Sequence, residues 1–433
     1  MKLLIKGGRV VDAANNIDGA FDILIEGSRI AKVARDIRDR ADGIVDARDR
    51  IVMPGIVDMH VHLREPGRED KETVSSGTRA ALKGGVTSLL AMPNTEPPID
   101  SPEQVALLKG IIEKSASVNV FISAAITTGR LGQQPVNISG LKKVGVMAFT
   151  DDGSSVENAE LFLKALELVR DNNALLIEHC EDRSLSNNGV VNLGIVSTKL
   201  GLRGITKEAE YSRVERDVRL AGESGASLHI AHVSTKESVD IIARAKKKGV
   251  KVTCEVTPHH LSLTEEAVLG YDANMKMRPP LCTSRDRKAL REALASGIID
   301  IIASDHAPHT DNEKEIEFER AEFGAIGLET ELAVAITELV HTKELDWTGL
   351  VRSLCLGPSR ILGITKGTLS IGADADIILV DPQKEWLVEK RTLVSKSKNS
   401  PFLEKVLKGA VDYTILAGRI VYQDGNGGSP TRR

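Results

Sequence analysis

His60 and His62 flank Val61 at the end of an apolar run, and alternate residues of a strand face the same side, so their imidazoles can share one ion. An isolated His-x-His is more often a packed pair than a metal site. Here it has company: other apolar runs end in Asp151 and Asp152, carry His179 and His232, and reach Asp305. Four histidines and several carboxylates offer the N and O donors that zinc, manganese or cobalt take, in numbers sufficient for two ions. Two ions sharing a carboxylate lower the pKa of a bridging water, so that hydroxide exists at neutral pH. His179 or His232 alone reads as a hydrogen-bonded core histidine. Their joint placement at strand ends argues for the metal.

Eight short apolar runs must position these groups: IVMPGIVDMHVHL, VTSLLAMPN, VNVFISAAI, GVMAFTDD, ALLIEHCED, SLHIAHVS, VKVTCEVTPHH and IIDIIASDHAPH. Stretches of helical period separate most of them, such as EDKETVSSGTRAALKGG and NAELFLKALELVRDN. The polar residues fall at the carboxyl ends of the runs, the rim where a TIM (β/α)8 barrel carries its chemistry. Periodicity alone leaves a doubly wound sheet as the alternative. The two chain ends have another rhythm of short strands broken by Gly and Asp, and the GRVVD near Gly8 is echoed by GRIVY near the other end. The expected organisation is therefore a small β-sandwich built from 1–50 and 366–424, a barrel over 51–365, and a frayed tail from 425 to 433.

The 433 residues include 41% hydrophobic and 27% charged residues, and no run of about 18 apolar residues spans a bilayer. With 57 basic against 61 acidic residues, the net charge of −4 forms no basic stripe for nucleic acid and no membrane-binding patch. Cys180, Cys254, Cys282 and Cys355 lie far apart, without CxxC spacing. That pattern fits a reducing cytoplasm, and the start of the chain lacks the apolar stretch of a signal peptide. No GxGxxG or Walker pattern supports nucleotide binding.

PGIVDMHVHLREPG (54–67) together with SDHAPH (304–309) resembles the amidohydrolase superfamily and, within it, the class I dihydroorotases. MPNT (92–95), AFTDDG (148–153), EHCED (178–182), FGAIGLET (323–330) and the flanking β segments extend the resemblance over essentially the whole chain. It implies zinc-dependent, reversible opening of dihydroorotate to N-carbamoyl-aspartate in pyrimidine biosynthesis. His60, His62 and Asp305 resemble the ligands of a first Zn2+, and His179 and His232 those of a second. Asp152 resembles the carboxylate that bridges the ions alongside a hydroxide, with Asp151 as its rival. Other branches of the superfamily bridge with a carboxylated lysine, but no lysine follows Lys143 toward the fourth strand end. Asp305 is the implied proton shuttle; a turn-capping Asp before Pro308 is the structural alternative.

The substrate carboxylate is expected on Arg64, whose guanidinium can grip it bidentately. By resemblance, Asn94 and His309 complete the grip, His62 and Leu63 adjoin it, and Phe323 and Gly324 touch the ring through their backbone. The competing fate of Arg64 is an ion pair with Glu65 or Glu69. One departure stands out: MRPPLC places Arg278 and Cys282 where the family usually shows Asn and Arg of NPPLR. Arg278 then either adds a positive contact or reshapes the pocket. His259 and His260 match no family ligand and read as supporting residues. The polar DNEKEIEFER stretch after His309 is expected to be a loop that closes over substrate. The rival readings are another cyclic amidase, allantoinase or hydantoinase, which Arg64 disfavours, and an inactive homologue serving as a scaffold. The resemblance allows a homo-oligomer or association with another enzyme of pyrimidine biosynthesis.

Overall fold

The computed structural model describes residues 2–425 and the short strand Thr431–Arg432. Eight parallel strands follow in chain order: Ile56–Val61, Val86–Ala91, Asn119–Ala124, Ala148–Phe149, Leu175–Glu178, Leu228–Ile230, Val252–Val256 and Ile301–Ile302. The circle closes where Val61 bridges in parallel to His306 and the His62 amide donates to the His306 carbonyl at 2.9 Å. Each strand lies within one of the eight apolar runs. Sequential order with closure is a barrel, so the doubly wound alternative falls away.

The helical stretches start where the sequence offers caps. Thr73 caps Val74–Gly84 by accepting from the Ser76 amide, and Asn158 caps Ala159–Asp171 through the Glu160 and Leu161 amides. Their buried faces, including Val74, Ala81, Phe162 and Leu166, join the apolar core between strands and helices.

Both chain ends meet in a nine-stranded sheet. Its first strand, Lys2–Asp12, bulges between Ile5 and Gly8, pairing with Gly43–Asp46 before the bulge and with Ile51–Pro54 after it. Ile51–Pro54 also pairs antiparallel with the start of Ile377–Leu387. Leu3, Ile5, Ile23 and Ile25 from one end pack with Ile377, Leu379 and Ile415 from the other as the sandwich core. The first apolar run is therefore divided: its opening four residues belong to the terminal sheet, beyond the expected boundary at 50, and only Ile56–Val61 enters the barrel. Gly55 makes the division, since a Cβ there would lie 2.2 Å from the Thr87 hydroxyl. The expected frayed tail falls largely outside the described residues; Thr431–Arg432 pairs with Gly43 and Ile44.

Two excursions escaped sequence reading. After the fifth barrel strand the chain forms a two-stranded pair, Val191–Asn192 with Gly204–Ile205, around the helix Ile195–Leu200. In the terminal domain, residues 388–405 leave the sheet as a strap over the barrel rim. There the Ser395 amide donates to Glu329 at 3.0 Å and the Ser397 hydroxyl to the Lys71 carbonyl at 2.7 Å.

Candidate metal centre and substrate cavity

His60, His62, Asp152, His179, His232 and Asp305 converge at the carboxyl rim, all of them buried. His62 Nε2 lies 3.3 Å from both Asp152 Oδ2 and Asp305 Oδ1, and His60 Nε2 lies 3.4 Å from Asp152 Oδ1 and 3.5 Å from Asp305 Oδ1. On the other side of Asp152, its Oδ1 stands 3.6 Å from His232 Nε2 and 3.8 Å from His179 Nδ1. Ligands about 2.0–2.2 Å from a tetrahedral ion sit about 3.3–3.6 Å apart, so most of these spacings suit donors around an ion. Two triads can each hold one: His60, His62, Asp305 and His60, Asp152, His232. His179 adjoins the second, its Nδ1 lying 2.9 Å from His232 Nε2. His60 Nε2 and Asp152 Oδ1 are buried without a hydrogen-bond partner. Orphaned donor atoms aimed at one point, in a mixed N and O set, fit a divalent cation.

Asp151, the rival bridge, turns away. It accepts from the Ile126 amide at 2.9 Å, the Thr127 amide at 3.2 Å and the Thr127 hydroxyl at 2.5 Å, and so ties two loops together. Arg130, not anticipated from sequence, donates to the carbonyls of both Asp151 and Asp152.

The histidines are aimed by groups behind them. His60 Nδ1 lies 2.5 Å from Glu255 Oε1, His62 Nδ1 donates to Asn94 Oδ1 at 2.7 Å, and His179 Nε2 lies 3.2 Å from Glu181 Oε2. In each case the opposite ring nitrogen faces the cluster, as second partners of metal-binding histidines arrange. Glu255 also accepts from His229 Nε2 at 3.1 Å and from the His232 amide at 3.2 Å. It was legible in principle as the lone acid within the apolar VTCEV.

Burial opposes charge throughout, yet the surrounding carboxylates hold His60 well above the ordinary imidazole value. Burial likewise pushes Asp152 and Asp305 up, and the histidines outweigh it, holding both below the usual carboxylate range. His62 and His179 are lowered, first by burial. Four non-glycine residues here take left-handed backbone: Arg64 (φ 61°), Arg130 (φ 57°), His232 (φ 31°) and Asp305 (φ 46°). Such strain collects where a side chain must point at a site rather than follow its strand.

A cavity of about 250 Å³ opens beside the cluster, lined by Arg64, Asn94, Arg278, His309, Phe323 and Gly324 among others. Arg64 donates from Nε to the Pro308 carbonyl at 3.2 Å, and its NH2 lies 3.3 Å from His309 Nε2. No carboxylate pairs with it among the described residues. Glu65 instead accepts from the Val74 amide, and Glu69 from the Gly67 amide. Burial lowers Arg64 to about 10, which leaves it charged at neutral pH, and drives His309 down to about 3, which leaves that ring neutral. Gly324 has φ 112°, and a Cβ on it would lie 2.7 Å from that of Ala307, so only glycine lets this wall approach. Leu63, expected beside the substrate, instead packs its side chain into the barrel core and does not line the cavity.

Arg278 is occupied. It grips Glu181 through Nε at 2.5 Å and NH2 at 2.6 Å, and its guanidinium lies 5.1 Å from the Phe323 ring centre. Both expectations for it, a second positive contact and a reshaped pocket, thus meet a guanidinium that already supports His179 through Glu181. Replacing it with alanine strands a buried carboxylate behind His179. Metal content after dialysis is expected to show affinity at the His179 side weakened about 10–100-fold. Unchanged content at both positions would remove Arg278 from the metal's support.

Two buried lysines bond to the stretch after His309. Lys314 Nζ donates to the Glu322 and Gly324 carbonyls at 2.7 and 3.0 Å, and Lys276 Nζ to those of Phe318, Glu319 and Ala321 at 2.6–3.0 Å. The segment expected to close over substrate, 311–320, contributes no residue to the cavity lining, whose wall beyond it is Glu322, Phe323 and Gly324. His259 and His260 are buried and belong to neither triad, with His260 bridging Thr257 and the Pro279 carbonyl.

With this geometry in hand, comparison with known proteins is decisive. The chain is 50% identical over 425 residues to the dihydroorotase of Elusimicrobium minutum, covering 98% of each, and 47% identical to that of Pelotomaculum thermopropionicum, covering 98% of this chain and 99% of that one. The chain belongs to the dihydroorotase family. The family model for dihydro-orotase-like proteins matches residues 49–238. Among solved structures, the L-hydantoinase (dihydropyrimidinase) of Arthrobacter aurescens superposes with a TM-score of 0.89 at 25% identity, covering 99% of this chain and 97% of that one. The dihydropyrimidinase of Brevibacillus agri, at 22% identity and a TM-score of 0.86, shares the fold over 100% of this chain and 97% of its own. A dihydroorotase-family chain thus carries the barrel and terminal sandwich of the cyclic amidases.

Proposed function

We propose that the chain opens the ring of dihydroorotate to N-carbamoyl-aspartate, reversibly, as the zinc-dependent dihydroorotase step of pyrimidine biosynthesis. The observation that carries the reading is Arg64: a half-buried, charged guanidinium without a carboxylate partner among the described residues, beside a cluster of six metal-type ligands. The substrate's carboxylate supplies the missing charge, with His309 and the Asn94 amide at its sides.

Two Zn2+ ions would be held by His60, His62 and Asp305 and by His179 and His232, with Asp152 between them; when bound, they lower the pKa of water and polarise the amide carbonyl. The rest falls to the chain. Asp305 Oδ1, within 3.5 Å of two imidazoles, is placed to take a proton from the attacking water and deliver it to the leaving ring nitrogen. The carbonyl carbon gains a C–O bond as its bond to nitrogen breaks, and the nitrogen leaves protonated. Arg64, Asn94 and His309 fix the ring so that this carbon faces the cluster. The buried, unpaired thiols of all four cysteines support a cytoplasmic setting.

Hydantoinase activity is the second reading, favoured by the fold neighbours. Arg64 separates the two, because neutral rings present no carboxylate. Arg64→Ala is expected to raise KM for dihydroorotate about 10–100-fold, the loss of a charge-assisted bidentate contact, while slow turnover of hydantoin, if measurable, stays put. Equal effects on both substrates would defeat the carboxylate grip.

A further inference from the structure

The terminal β domain reaches the cavity through one side chain. Asn399, on the strap 388–405, is 3% exposed and uses its whole amide. Its Nδ2 donates to the Ala307 carbonyl at 3.1 Å and the Gly324 carbonyl at 3.2 Å, while Oδ1 accepts from the His309 amide at 3.1 Å. Its own backbone carbonyl takes the Ile326 amide at 3.0 Å. Two loops that wall the substrate cavity, 307–309 and 324–326, are therefore joined through a residue 75 positions beyond Gly324 in the chain. They also meet directly, through the Ala307 amide and the Ala325 carbonyl at 2.8 Å, the parallel bridge from His306 to Ala325 and the close packing of Gly324 on Ala307.

We propose that Asn399 is a positioning residue for substrate binding, setting His309 and Gly324 at the distance the ring and its carboxylate require; the assignment rests on the proposed function. Only an amide serves here, since it gives two donors and one acceptor from one planar group. The change Asn399→Asp would remove both donors, and an apolar side chain would leave two buried carbonyls and an amide without that partner. The strap also holds the neighbouring first-strand loop: the Ser395 hydroxyl donates to Glu72, and the Lys396 amide donates to it at 3.2 Å. The small domain thereby completes the rim rather than merely adjoining the barrel.

The test compares Asn399→Ala with Leu379→Ala, which loosens the core of the terminal sandwich, a cluster that holds no residue of the rim. Asn399→Ala is expected to raise KM for dihydroorotate about tenfold, with kcat within about threefold and metal content unchanged. Leu379→Ala is expected to lower the unfolding temperature and leave KM alone. Equal KM shifts in the two variants, or no shift in Asn399→Ala, would overturn the role of Asn399. Amide exchange in substrate-free protein reads the same positioning independently: exchange at 307–309 and 324–326 is expected to quicken about tenfold in Asn399→Ala. Unchanged exchange counts against the proposal even should the wild type prove inactive on dihydroorotate, which by itself would overturn only the proposed activity.

Discussion

Asp152→Ala is expected to abolish ring opening and to lower bound metal together. Among the described residues, the Asp152 carboxylate is the one group within 4 Å of all four cluster histidines. Removing it leaves those imidazoles facing one another, with His179 and His232 already 2.9 Å apart. Loss of the shared ligand forfeits the ions' stabilisation of charge in the transition state, several kcal/mol, or about three or more orders of magnitude in kcat. Chelation of the wild type should reproduce the loss, and zinc should reverse it there but not in Asp152→Ala. The neighbouring change Asp151→Ala is the control. It disturbs the loop bonds to Ile126 and Thr127, so it is expected to cost stability while leaving metal content near that of the wild type. If Asp151→Ala lost metal and Asp152→Ala kept it, the assignment of the bridge would be reversed.

The second large effect belongs to Asp305. The change Asp305→Asn keeps an oxygen donor near His60 and His62 but cannot carry a proton, so metal is retained while proton transfer to the leaving nitrogen stops. General acid–base groups contribute about 10²–10⁴-fold, and kcat is expected to fall within that range with little change in KM. Metal analysis on the same preparation separates a lost shuttle from a lost ligand. Retention of more than about a tenth of wild-type kcat would assign Asp305 to turn-capping instead.

Much of the barrel could be read in advance because its strands are buried on both faces and so appear as unbroken apolar runs, each punctuated by a polar rim residue. His60, His62, His179, His232 and Asp305 stand out for that reason, as does the pair Asp151 and Asp152, of which only the resemblance to the family singles out Asp152. What stayed hidden depends on pairing between distant segments. Ile51–Pro54 is as apolar as the barrel strand it precedes, and only its partners at Arg9 and Ile377 assign it to the terminal sheet. Glu181 reads as one more acid in EHCED until Arg278 and His179 are seen on its two sides. Nothing in the sequence pairs Arg278 with Glu181, because a bidentate partner 97 residues away leaves no local trace. Asn399, in a polar stretch without periodicity, gave no signal at all.

The sheet that joins the two chain ends also sets an order of events during synthesis. Ile51–Pro54 must wait for Ile377–Val380, and the rim of the cavity must wait for Asn399, so neither the sandwich core nor the substrate wall can close before those residues have been made. Pairings of such long sequence separation are slow to form and leave apolar edges open meanwhile. A nascent chain therefore holds its metal-type ligands on a nearly complete barrel before it can bind substrate well.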